Sequence, residues 1–201
     1  MDERSDEDVV DEDIVDEDWY GNELAGTRFS SVRFSRVDFT EVRTRNVIFD
    51  DCRFANCAFN VSEHRETAFI GCTFARDSFF SATLDGCKLS GSTFVDCEFH
   101  PITIKGGLWQ GVVIRGGDLT KIDFSGVDLR DADLSESDLS GARLDDCNLA
   151  FANLRNTRLI DASLIGAKLD GIDLSAAQLG NTQVDLAGAI SVAATYGAVL
   201  R

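Results

Sequence analysis

The 201-residue sequence has one proline, one methionine, two histidines and no excess of positive charge. No apolar run approaches the ~18 residues of a membrane-spanning helix, so a protein crossing a membrane in that way is excluded. No basic stretch followed by an apolar one opens the chain, and no secretory signal is expected. Two histidines leave no His-rich metal spacing, and neither a phosphate loop nor a nucleophile elbow is present, so no enzyme, cofactor or metal is expected. A formal net charge of −16 argues against nucleic acid as a ligand. Six cysteines without a secretory signal point to reduced thiols and a cytoplasmic location.

What the chain has in quantity is a period. Eleven leucines stand at every fifth position from Leu129 to Leu179. The same phase runs back through Phe124, Leu119, Trp109, Phe99, Phe74 and Phe54 to Leu24, and twelve of the fourteen phenylalanines lie on it. Between Leu24 and Val184 only Thr44 and His64 interrupt it with polar side chains. A helix repeats at 3.6 residues and a half-buried strand at 2, so a period of five fits neither. A short fixed repeat cannot bury its own apolar residue, and stacking repeats into a solenoid buries all of them. Two residues before each large one (position i) lies a small or β-branched one, as at Val32, Ala132 and Ala152, and all six cysteines share that register.

The pattern A-[D/N]-L-x-x, seen as Ala132-Asp133-Leu134 and Ala152-Asn153-Leu154, resembles the pentapeptide-repeat family across roughly residues 22–184. The resemblance implies an all-β solenoid: a right-handed quadrilateral β-helix of about eight coils, each pentapeptide one side, closed by a short C-terminal α-helix. Positions i and i−2 then point inward, the others outward. Glycine is frequent at i+2, where a corner needs permissive backbone angles.

Three segments follow. Residues 1–18 hold three tandem acidic repeats; Glu7, Glu12 and Glu17 would fall in the inward i−2 seat, where an unpaired carboxylate is costly, so a disordered acidic tail is expected, with extra outer turns the alternative. Residues 19–184 form the β-helix, with Trp19 closing its first coil. Thr44 and His64, 20 residues apart, should be inner neighbours and read as a satisfied polar pair rather than a ligand site. Asp77 breaks the inward register between Cys57 and Cys97, by a bulge or a carboxylate bonded to backbone. Cys52 and Cys72 read as a thiol ladder rather than a bridge. Pro101, in a glycine-rich stretch, marks the expected kink; the family resemblance suggests a cis bond after His100. Residues 185–201 read as a helix with Asp185 as N-cap and Gly197 as its stop. Val184, Leu186, Ile190, Val192, Ala193, Ala194, Val199 and Leu200 should cover the last coil and form a symmetric homodimer interface.

Charge on the outward positions is uneven. Asp118 to Asp146 hold nine acids against three bases. Asp118, Asp123, Asp128, Asp133 and Asp138 share the i−1 register on successive sides and should encircle the coil, with Asp131 beside them. At a rise of ~4.8 Å per coil this band reaches roughly the charge density of duplex DNA, which carries about 3 charges over that length. The run GSTFVDCEFHPITI, the unbroken register, SEHRETAF around His64 and the tail VDLAGAISVAATYGAVL are similar to the fluoroquinolone-resistance group of the MfpA type within the family. That resemblance implies a dimeric DNA mimic that binds DNA gyrase, with the six aspartates as its contact surface, and raises a small GTPase as a further partner. An acidic interaction scaffold or immunity protein with another target stays open.

Overall fold

Nearly every corner among the described residues turns through left-handed backbone. In the computed structural model, which describes residues 8–199, the i+2 residues other than Pro101 and Ala176 have φ near +60°, whether glycine (Gly21, Gly71, Gly141) or not (Asp11, Asn56, Asp146). Such a residue at each fifth position bends the chain by about a quarter turn, so four pentapeptides close a coil and residue n lies beside n+20 in parallel register. Pro101 occupies a corner where its ring forbids positive φ, and the His100–Pro101 peptide is cis. The chain divides into two compact units, the first ending at Leu108 and the second beginning at Trp109.

The first unit has four sides. One pairs strands Val9–Val10, Arg28–Ser30, Ile48–Asp50 and Ala68–Ile70; the next runs from Asp13–Val15 through Arg33–Ser35, Arg53–Ala55 and Thr73–Ala75 to Thr93–Val95. A third contains Glu23–Ala25, Arg43–Arg45, Glu63–Arg65, Ala82–Asp85 and Ile102–Lys105. The fourth is held by single bridges, Asp18 to Asp38 to Ala58 to Ser78 to Glu98. The register stacks identical side chains, for example Phe34 beside Phe54 and Phe54 beside Phe74. Those rings are parallel within 3° and 6°, with centroids 4.7 and 4.8 Å apart. Neighbouring ladders meet edge to face, as Phe54 and Phe59 do at 5.4 Å and 69°. Both geometries suit the ring quadrupole and add about 0.5–1.5 kcal/mol per pair to the burial itself.

The second unit keeps the 20-residue register with leucines inside, but single-residue bridges replace strands beyond Val113–Ile114. Here each side closes tightly: the N–H of Ala132 donates to the Leu129 carbonyl (3.1 Å), that of Ala142 to Leu139 (3.0 Å) and that of Ala152 to Leu149 (2.9 Å). A turn of this kind leaves too few extended residues for a strand. The β-solenoid with a short C-terminal helix is as expected; it has about five turns where about eight coils are expected.

The acidic segment also differs from expectation. Residues 1–7, with Glu7, lie outside the described residues, but Val9–Val10 and Asp13–Val15 pair in register with the next coil, and Ile14 is buried. The carboxylates are accommodated because this coil is terminal. Glu12 stays exposed, and Glu17 accepts a hydrogen bond from the Trp19 indole N–H at 2.6 Å. Asp16 takes a two-pronged bond from Arg36 (2.6 and 2.7 Å), and Arg33 does the same for Asp13. Trp19, buried, covers Phe29, Phe34 and Phe39.

Most small polar side chains at i−2 are satisfied by one repeated bond, donation to the carbonyl 23 residues earlier. Cys72 reaches Phe49 (3.3 Å), Ser92 reaches Phe69 (2.8 Å) and Cys147 reaches Phe124 (2.8 Å). All six cysteines are free thiols. Thr44 Oγ1 meets His64 Nδ1 at 2.8 Å and Ser62 Oγ meets Nε2 at 3.0 Å, so the core histidine is satisfied on both nitrogens. Burial lowers its pKa to about 4 and keeps it neutral.

Asp77 is backbone-bonded: its carboxylate accepts from the N–H of Cys57 (2.6 Å) and Ala75 (3.0 Å). Burial nevertheless pushes its pKa up to about 7, with the two backbone bonds opposing. Because the folded value lies above the unfolded one of 3.8, its contribution to stability is fully present below pH 4 and is lost as pH rises towards 7. The loss is on the order of 4 kcal/mol. Asp77→Asn gives up one acceptor but cannot ionise. Its denaturation midpoint is expected to show a flatter pH dependence between pH 4 and 8 than wild type; parallel curves would contradict this account.

Candidate protein-interaction surface

The acidic band lies in the second unit, and its aspartates occupy all four sides. Asp118 and Asp138 stack on one side as bridge partners, Asp123, Asp128 and Asp133 stand on the other three, and Asp131 is at a corner with φ of 57°. The encirclement is as expected. Less expected is what each carboxylate does locally. Oδ1 of an i−1 aspartate accepts the N–H of residue i+1: Thr120 to Asp118 (3.1 Å), Ser125 to Asp123 (2.9 Å), Ser135 to Asp133 (3.1 Å), Ser140 to Asp138 (2.9 Å). These are Asx turns that set each side's path. Asn148 and Asn153 do the same without charge, at 3.3 and 3.1 Å. An outward carboxylate here is thus also part of the backbone, and replacement by lysine removes a turn as well as a charge.

The band is also partly compensated by bases that sequence order hides. Arg130 pairs with Asp128 at 2.7 Å, Arg115 with Asp133 at 2.5 Å, Arg158 with Asp138 at 3.4 Å and Arg143 with Asp123 at 3.6 Å. Asp131 accepts from the Gln110 amide at 3.1 Å. Arg115 and Arg158 come from the coils before and after; between Trp109 and Lys168 there are ten acids and seven bases. Asp128 is held below the usual carboxylate range by its bond from Arg130, and Asp138 by the Ser140 bond. At Asp123 and Asp133 burial works upward, but the serine bonds and the neighbouring arginine outweigh it, and both stay below that range. All four are charged at neutral pH.

The C-terminal helix runs Leu186–Thr195 in the same unit. Asp185 caps it, accepting from Gly188 N at 2.8 Å, and Gly197 follows it with φ of 80°. Gly188 is buried against Val184, and Val192 lines a hollow of 230 Å³ with Leu164, Leu179 and Val184. Of the expected interface, Val192 and Ala193 are half-buried, whereas Leu186, Ile190, Ala194 and Val199 are exposed; Leu200 lies outside the described residues. Leu186, 80 % exposed, and Ile190 leave an apolar helix face uncovered within the chain, and Val199, beyond the helix, is 83 % exposed. Among the described residues no group of His, Cys, Asp and Glu could hold a metal ion, and no helix is long and apolar enough to cross a membrane.

Known proteins share this architecture. Residues 110–146 and 142–181 match the family described as pentapeptide repeats (8 copies), and residues 23–100 match one described as the SV2A/B/C luminal domain. The pentapeptide repeat protein MfpA of Mycobacterium tuberculosis is 32 % identical over 86 residues, 43 % of this chain and 47 % of that protein, so the match spans about half the length of the relative. A trypsin-treated variant of QnrB1, described as a plasmid-mediated fluoroquinolone resistance protein, superposes with a TM-score of 0.57 at 18 % identity, over 96 % of this chain and 99 % of that one, which is a likeness of fold. Residues 110–181 thus carry the repeats of the pentapeptide-repeat family, and the same five-residue frame and left-handed corners run through the coils before them.

Proposed function

We propose that the chain is a non-enzymatic interaction protein that binds DNA gyrase in place of duplex DNA and thereby inhibits the enzyme and protects it from fluoroquinolones. The observation that carries the reading is the ring of ionised i−1 aspartates around the second unit, with carboxylates on all four sides as phosphates surround a duplex. Similarity to MfpA and the fold shared with QnrB1 support the same direction. Binding of this kind is electrostatic, so it weakens with salt and is competed by duplex DNA. It places the protein in the cytoplasm. A gyrase supercoiling assay with added protein is the direct test; supercoiling unaffected at micromolar protein would discard the reading. The pairing of Asp123, Asp128, Asp133 and Asp138 with arginines favours the second reading, a scaffold for a different basic partner, and that result would leave it standing.

The exposed face of the C-terminal helix fits a second copy of the chain. Leu186, Ile190 and Val199 on one protomer would meet the same residues of its partner across a twofold axis. Truncation after Val184 is expected to convert a dimer into monomers or aggregates in light scattering. A monomeric full-length protein at micromolar concentration would remove the dimer.

A further inference from the structure

Twelve of the fourteen phenylalanines point into the coil; Phe151, in the second unit, is one of the two off that register. It is 67 % exposed and sits at a corner with φ of 60°. Left-handed backbone is uncommon for any residue but glycine and least suited to bulky ones. The other corners with positive φ carry glycine or polar residues, with Val61 the one other large apolar exception. Local structure therefore argues against a phenyl ring here, and packing does not call for one.

The ring nevertheless has a prepared seat. It lies over Gly171, one coil further on, where a Cβ would come within 2.4 Å of the ring carbon Cδ1. Its surroundings are acidic. Asp131 holds the same corner one coil earlier, the Phe151 N–H donates to the Asp170 carbonyl at 2.8 Å, and Asp173 follows two residues after Gly171. All three aspartates are exposed. Of the nearby cations, Arg130 is held by Asp128 at 2.7 Å, Lys168 also faces Asp128, and Arg155 on the following side faces Asp173, which leaves Asp131 and Asp170 beside the ring. An exposed ring among carboxylates is suited to a cation: its face attracts a guanidinium or ammonium group, and the carboxylates complement the same charge.

We propose that Phe151 is the aromatic anchor of the docking surface, receiving an arginine or lysine side chain of a basic protein partner onto its ring between Asp131 and Asp170. That the partner is gyrase rests on the function proposed above; the anchor itself rests on the ring, its glycine seat and the carboxylates. A phenyl ring is a contact that DNA does not offer, so the anchor would let the protein hold its partner against competing duplex.

Phe151→Asn tests this without disturbing the corner, because asparagine tolerates left-handed backbone and leaves net charge unchanged. Wild type and variant are compared in thermal unfolding, in binding to immobilised gyrase across a salt series, and in NMR titration with a hexa-arginine peptide. The variant is expected to unfold no earlier, to bind gyrase about tenfold more weakly with the same salt slope, and to lose several-fold affinity for the peptide, whose addition shifts the Phe151 ring resonances of wild type. Gly171→Ala, which displaces the ring, should weaken binding likewise. Equal affinities of wild type and Phe151→Asn for both gyrase and peptide would overturn the anchor. Wild type that ignores gyrase but binds the peptide through Phe151 would overturn the gyrase reading and leave the anchor in place.

Discussion

Replacing Asp118, Asp123 and Asp138 together by asparagine is expected to abolish most gyrase inhibition while leaving the fold intact. Each replacement removes a charge but keeps the Oδ1 acceptor, so the turns closed by Thr120, Ser125 and Ser140 persist, as they do natively at Asn148 and Asn153. An exposed charge contributes up to ~1 kcal/mol, so three together can account for a loss of ~100-fold in affinity. Lysine at the same sites would confound the result by breaking those turns. Supercoiling assays and thermal unfolding, run side by side, read both effects. Undiminished inhibition by the triple asparagine variant would move the contact away from this band, and the first coil, with Asp13 and Asp16 already paired to Arg33 and Arg36, would be the next segment to examine.

The largest expected effect on stability is at Phe54. Its ring stacks on Phe34 and Phe74 at 4.7 and 4.8 Å and meets Phe39, Phe49, Phe59 and Phe69 at larger angles. Phe54→Ala opens a cavity at the centre of the first unit and breaks a ladder in its middle, a change that costs about 3–5 kcal/mol. In a solenoid each coil touches only its neighbours, so the loss of amide protection should be greatest for the coils containing Phe34 and Phe74. A cost below ~1 kcal/mol in chemical denaturation would mean that the coils close around the gap and that the ladder is not what holds them.

The five-residue frame determines much of this protein by itself. Only a solenoid can bury a large residue at every fifth position, and the cysteines at i−2 follow as inward thiols from the same count. The aspartate or asparagine at i−1 was legible in the sequence as well, but its meaning was not. Read as surface charge, it is also the acceptor that closes the turn wherever it stands in the second unit, and on the bridged side at Asp18 and Asp38. On the sides built as strands that position holds Arg33, Arg43 and Arg53 among others, and Asp13 there is bonded to Arg33 instead. Tertiary structure alone decided the rest, because neighbours in this fold stand 20 residues apart. That distance brings Arg33 and Arg36 onto the acidic first coil and so makes a coil of a segment whose composition suggests disorder. It also sets Arg158 beside Asp138, so the charge of the band cannot be counted along the chain. And it lays Phe151 across Gly171, a contact visible only once the coil is closed.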